Sequence, residues 1–186
     1  MWSHQAIDAV GEEFVRIKSE LRKIKNSPET DRAEAGSLLA GEITEIDRRV
    51  FDLLCRGEEL PYFRQHYIEV SGKLLRFSSL LEEILSRLGH TPEILADTER
   101  YFEKLEGVIG SYTGAWLNLK DDITRSEREI RQAGGYLAEL EETVADLIQT
   151  ESSPETFRLA ALFSRLIDCL SGLDLACKKL VVILKI

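Results

Sequence analysis

Acidic side chains are the residues of this chain whose types and spacing could do chemistry. Glu142 and Asp146 lie four positions apart, so on a helix they share one face and their carboxylates could hold a divalent cation together. Further acids lie beside this pair or on the next predicted helix, which should run antiparallel to it: Glu139, Glu141, Asp168 and Asp174. The alternative, which the pattern favours, is that these carboxylates form the solvated outer face of two helices.

The histidines and glycines do not add a second candidate site. His4, His66 and His90 are far apart, and the chain has no HExxH, no Glu-x-x-His pair and no phosphate-binding glycine loop. His66 adjoins the apolar residue Tyr67 and is interpreted as a boundary residue, while His90 is predicted to lie at a helix end. The sequence therefore predicts a protein that is not an enzyme. It predicts no catalytic, cofactor-binding or metal-ligating residue, with a divalent or ferric ion as the open alternative.

Six helices are predicted to position these residues. Pro28, Pro61, Pro92 and Pro154 suit the first turn of a helix. Their intervals of 33, 31 and 62 residues predict a further boundary near residue 122. Cap-type residues stand before three of the prolines or at that boundary: Ser27, Thr91, Ser153 and Lys120-Asp121-Asp122. One very long helix across this boundary, or a break at Gly134-Gly135, is the alternative.

Apolar residues recur at alternating spacings of three and four, as in Val10, Phe14, Ile17 and Leu21. This spacing is typical of the seam between nearly antiparallel helices joined by short turns, so we predict an all-α, up-down helical bundle. Five aromatic residues have seam spacing and are predicted to be core: Phe63, Tyr67, Phe77, Tyr101 and Tyr112. Trp116 follows a seam residue and is predicted to flank the core or contact a partner.

The chain has the pattern of an internal duplication. Seven residues from Gly135 to Arg158 are identical to those 94 positions earlier, beginning with the pair Gly41 and Gly135. The apolar residues of the third predicted helix reappear in the sixth at a shift of 96. We therefore predict two three-helix units, residues 1–90 and 91–186, packed into one body.

Charge and cysteine usage limit the classes of partner and the compartment. A net charge of −9 argues against nucleic acid and disfavours broad contact with an anionic membrane. Cys55, Cys169 and Cys177 lie in apolar helical patterns without CxxC spacing, which predicts buried, reduced thiols in the cytoplasm. The longest strongly apolar stretch, residues 180–184, is too short for a transmembrane segment.

A duplicated three-helix unit of about 95 residues, with a proline between its second and third helices, resembles the PhoU family of phosphate-transport regulators. It is also similar to the PhoU-like proteins that accompany Pit-type phosphate transporters. Members of the family carry an acidic pair spaced by four on the second and fifth helices and Leu-Glu-Arg-Ile-Gly-Asp on the third and sixth. The resemblance implies that these acids bind metal ions on the bundle surface.

The residues of this chain match that pattern only in part. Glu142 and Asp146 keep the acidic spacing of the fifth helix, and Asp168 matches the motif's glutamate on the sixth, where Gly172 replaces the second acid. The equivalent positions of the first unit are Arg48 and Asp52 on the second helix and Gly72 and Arg76 on the third.

Two functional hypotheses follow from the sequence. The first is a non-enzymatic regulatory or adaptor protein, PhoU-like, that binds a membrane transporter or a signalling protein in phosphate-transport regulation. The alternative is a structural or assembly protein that self-associates, for example as a homodimer, through its apolar C-terminal helix, residues 154–186. A metal-dependent bundle enzyme ranks last because histidine ligands are missing.

Overall fold

Six α-helices account for nearly all of the residues that this computed structural model describes, which are 5–56, 61–88, 95–150 and 153–185. The helices are α1 (Gln5–Asn26), α2 (Glu29–Cys55), α3 (Pro61–Leu88), α4 (Leu95–Asn118), α5 (Ile123–Thr150) and α6 (Pro154–Leu184). The described ranges contain no strand. The all-α prediction is confirmed.

Local capping explains where α5 and α6 begin. The Oδ1 atom of Asp122 accepts a hydrogen bond of 2.8 Å from the backbone N–H of Arg125, and the Oγ atom of Ser153 accepts one of 3.2 Å from that of Thr156. Such contacts satisfy amides that a helix start leaves unpaired. The predicted boundary near residue 122 is confirmed, and α5 continues through Gly134-Gly135 without a break.

Pro61 and Pro154 begin α3 and α6 as predicted, but the predicted cap of α2 is wrong. Pro28 occupies the N-cap position and no side chain caps this helix. The Ser27 hydroxyl instead donates to the carbonyl of Lys23 at 2.8 Å, because a free acceptor is available in the last turn of α1. Thr91 and Pro92 lie outside the described residues, as do Trp2, His4 and His90.

The helices pack in a closed order around a shared core. α1 packs on α2, α3 and α4, α3 packs on α2 and α6, and α5 packs on α4 and α6. Buried apolar side chains of all six helices form one cluster. The α1–α4 and α3–α6 contacts join residues 1–90 to residues 91–186, while the duplication of these two units stays a prediction.

The core contains the five aromatic residues that the seam spacing predicts, and all five are buried. The prediction that Trp116 flanks the core or contacts a partner is wrong, since only 3% of its surface is exposed. Its indole N–H donates to the carbonyl of Ile7 at 2.8 Å, and its ring lies 5.4 Å from that of Phe14. Because the indole N–H has a hydrogen-bond acceptor on α1, the ring can fill the core without leaving a polar atom unpaired.

The cysteines divide into two classes. Cys169 and Cys177 are buried, as predicted, whereas Cys55 is exposed and the prediction for it is wrong. Cys55 is the last residue of α2, and its neighbour Leu54 is the residue of this turn that enters the core. Burial raises the pKa of the Cys169 and Cys177 thiols, so both are held in the protonated form.

Candidate functional site

Five of the six acids that the sequence singles out, all except Asp174, lie on the outer surfaces of α5 and α6. Glu142, Asp146 and Asp168 are exposed, and Glu139 forms an ion pair with Lys104 of α4. Within the described segments, no three His, Cys, Asp or Glu side chains are grouped so that they could hold a metal ion. The structure therefore does not bring the α5 pair and the α6 acid together into one such site.

A lysine covers the part of α6 where the resemblance places a second acid. A Cβ atom built on Gly172 would lie 2.7 Å from Nζ of Lys73 on α3. The Cys169 thiol donates to the carbonyl of Lys73 at 3.3 Å, which ties α6 to α3 one turn away. An ammonium group at this position repels a divalent cation, so the local charge disfavours a PhoU-type metal site here.

Asp174, another acid from the sequence set, is engaged in packing. It accepts a hydrogen bond of 3.1 Å from the hydroxyl of Tyr112 on α4, and it pairs with Lys178 at 2.5 Å. Burial raises the pKa of Tyr112, and the nearby charge of Asp174 raises it further. Asp174 therefore links α4 to α6.

An apolar groove of about 370 Å³ runs between α3 and α6. We call it the α3–α6 groove, and its lining residues are His66, Leu175, Lys178, Lys179, Val182 and Ile183. Leu175 is 53% exposed and Val182 is 60% exposed, although both are large apolar residues. His66 is half-buried at the wall of the groove, in line with its interpretation as a boundary residue.

The charges of the α3–α6 groove lie among these apolar side chains and are held in place. Lys178 pairs with Asp174, and Lys179 lies 3.5 Å from the carboxylate of Glu69 on α3. The groove therefore offers an apolar surface on which both ammonium groups are already paired with carboxylates. Such a surface suits apolar side chains of another protein.

A second groove, of about 510 Å³, lies between α1 and α2. The Arg16 guanidinium donates to both carboxylate oxygens of Glu42 and so joins the two walls. The charge of Glu42 is already paired with Arg16, so this carboxylate does not offer a free charge to a ligand. The hydrogen bonds from Arg16 also lower the pKa of the Glu42 carboxyl. Of the apolar lining residues, only Val15 is prominently exposed.

A polar cluster connects α1, α2 and α3, with Glu13 and Ser71 buried and Asp47 half-buried, and we call these three residues the buried triad. Glu13 is 0% exposed. The Oγ atom of Ser71 lies 2.8 Å from Oε1 of Glu13 and 2.7 Å from Oδ1 of Asp47. Oε2 of Glu13 has no hydrogen-bond partner among the residues that the structure describes.

No protein-family model matches this chain, and no curated protein or solved structure is significantly similar to it. The resemblance to PhoU therefore continues to depend on the layout of the helices. In the parts of the chain that are described, no helix has the length and apolar character needed to cross a membrane.

The sequence reasoning missed the buried triad, although a signal for it exists. Glu13 lies three residues after Val10 and four before Ile17, so it occupies seam spacing itself. Asp47 lies four residues after Ile43 and three before Val50, and Ser71 lies four after Tyr67 and three before Leu74, so both also share a helix face with apolar residues. A polar residue at seam spacing on each of three neighbouring helices indicates a buried polar contact.

Proposed function

We propose that this chain is a non-enzymatic regulatory or adaptor protein that acts by binding another protein in the α3–α6 groove. The exposure of Leu175 and Val182 is the observation that supports the proposal. They lie seven residues apart on one face of α6, and both line the shallow α3–α6 groove. Apolar side chains left exposed together beside a groove are a property of protein-interaction sites, and amphipathic helices bind in such grooves.

The partner we propose is a membrane transporter or a signalling protein of phosphate-transport regulation, as the resemblance in layout suggests. Its docking segment presents an apolar stripe, because Leu175, Val182 and Ile183 line the groove and the lysines beside them are already paired with acids.

Affinity capture from the native cells tests this function. The bait proteins are the unmodified chain, Val182→Glu and the matched control Leu117→Glu, which changes a side chain of α4 that is 57% exposed. We expect a transporter or signalling protein to be enriched by the unmodified chain and the control and lost with Val182→Glu. Failure to recover any transporter or signalling component with the unmodified chain would contradict the proposal.

A second candidate function is self-association, and the same surface favours it. Two copies could cover Leu175 and Val182 by packing α6 against α6, since a spacing of seven residues recurs on the contact face of paired helices. Light scattering at increasing protein concentration tests this directly. A dimer that Val182→Glu dissociates would support self-association, and a strict monomer at high concentration would count against it.

A further inference from the structure

The hydrogen positions in the buried triad can be deduced by counting. A serine hydroxyl carries one hydrogen, so Ser71 donates to only one of the two carboxyl groups within 2.8 Å of it. The other contact requires a proton on the carboxyl group, because two oxygen atoms with no hydrogen between them repel each other at this distance. One acid of the triad is therefore protonated.

Glu13 is the acid that carries the proton. Asp47 is partly exposed, so water solvates its charge, whereas Glu13 has no exposed surface. The chain of donors then runs from the Glu13 carboxyl to the Ser71 hydroxyl and from there to the Asp47 carboxylate. Oε2 of Glu13 becomes the carbonyl oxygen of a neutral acid, and an unpaired neutral acceptor costs much less than an unpaired buried anion.

On balance, the charges around Glu13 raise its pKa, as burial does. Burial raises the pKa of Glu13 to about 8, and the charges of Asp47 on α2 and Glu12 on its own helix also raise it. The charge of Arg49 on α2, and the hydrogen bond that Ser71 would donate to an ionised Glu13, act in the opposite direction. α3 faces Glu13 with the neutral Ser71 hydroxyl. α4 meets this turn of α1 with the neutral Thr113 hydroxyl, 3.3 Å from the carbonyl of Phe14.

We propose that the buried triad is a proton-dependent clamp that holds α1 against α2 and α3 while Glu13 is protonated and loosens when Glu13 releases its proton to solvent. Without that proton, Glu13 and Asp47 are two anions that compete for the single hydrogen of Ser71. The Glu13 anion is then stabilised by contact with water, and we expect α1 to move away from α3 to admit it. The clamp thus couples the packing of α1 to pH near neutrality, and it does not depend on the α3–α6 groove.

Carbon-13 NMR of glutamate side-chain carboxyl groups tests the protonation state. The resonance that disappears in Glu13→Gln identifies Glu13, and we expect it to titrate with a midpoint near pH 8 in the unmodified chain. Asp47→Asn removes a neighbouring anion, so the midpoint should move to lower pH. A Glu13 midpoint near the ordinary value of 4.5 would overturn the proposal.

Amide hydrogen exchange tests the loosening. For an opening that exposes Glu13, protection in α1 around Glu13 and in α3 around Ser71 should fall by about tenfold between pH 7 and pH 9, after correction for intrinsic exchange. Glu13→Gln should abolish this fall, while Glu45→Gln, on the exposed side of α2, should retain it. Equal protection at both pH values in the unmodified chain, or an equal fall in Glu13→Gln, would show that no clamp operates.

Discussion

Burial controls the charge of Glu13, and this affects stability. Its pKa is raised from 4.5 to about 8 by removal from water, so between these values the folded chain holds a proton that the unfolded chain has released. The free energy of unfolding therefore falls as pH rises from about 4.5 to about 8, and this acid adds no further slope above that. We expect a loss of about 2–5 kcal/mol from this group.

Urea unfolding at pH 5, 6.5 and 8 measures this loss. Glu13→Gln should be stabilised relative to the unmodified chain by an increasing amount as the pH rises, because glutamine has no proton to lose. Glu45→Gln changes an exposed acid and should follow the unmodified chain. Parallel stability curves for Glu13→Gln and the unmodified chain would show that Glu13 titrates normally.

Two buried tyrosines give a matched prediction about hydrogen bonding. The Tyr112 hydroxyl donates to Asp174, whereas that of Tyr101 has no hydrogen-bond partner among the described residues. Tyr112→Phe should lower the free energy of unfolding by about 1–2 kcal/mol, and Tyr101→Phe should leave it unchanged or raise it slightly. Chemical denaturation of both variants measures the difference, and an equal loss in both would contradict it.

Seam spacing predicts which residues are apolar and buried, but it does not predict which polar atoms find partners. Phe77 and Tyr112 could be placed in the core because their positions repeat along a helix face. Trp116 could not, since its burial depends on a carbonyl of α1 that is more than one hundred residues away in sequence. Glu13 was missed for a related reason, because its hydrogen-bond partner Ser71 lies on another helix, 58 residues away in sequence.

At the scale of the helices, the close approach of α2 to α3 depends on a glycine. A Cβ atom on Gly36 would lie 2.7 Å from Cδ1 of Leu85 and 3.4 Å from the backbone of Glu82, and Leu85 is itself buried. Gly41 lies on the same helix, and a Cβ atom there would meet nothing within 4 Å. Alanine at Gly36 therefore tests the packing of α2 against α3, whereas alanine at Gly41 tests helix propensity without a packing effect.

Alanine substitution should therefore act in opposite directions at these glycines. Gly36→Ala should destabilise the protein by about 1–2 kcal/mol through overpacking, and Gly41→Ala should stabilise it by about 0.5–1 kcal/mol because alanine favours the helix. Thermal and urea unfolding of both variants check the signs. Stabilisation by Gly36→Ala would show that α2 and α3 are not this close.

Helix starts were predictable where the signal is local. Asp122 and Ser153 cap amides three residues along the chain, so sequence alone contains both partners. Ser27 and Cys55 were misassigned because their environments depend on how α1 and α2 end. The α3–α6 groove was also beyond the sequence, since the exposure of Val182 depends on the packing of α6 against α3.

For the molecule as a whole, the shared core predicts cooperative unfolding. Apolar side chains of all six helices form one cluster, and residues 1–90 meet residues 91–186 through both α1–α4 and α3–α6. We expect one calorimetric transition, with the calorimetric enthalpy equal to the van't Hoff enthalpy. Two separate transitions would show that the two predicted units unfold independently.

The proposed adaptor role requires a partner to contact the α3–α6 groove in the cell. A photo-crosslinking amino acid at Val182 measures this contact directly, and the same amino acid at Leu117 on α4 is the control. Partner binding in the groove predicts that a transporter or signalling protein becomes covalently attached at Val182 and not at Leu117. Attachment of no such protein at Val182, or equal attachment at both positions, would contradict a docking role for the groove.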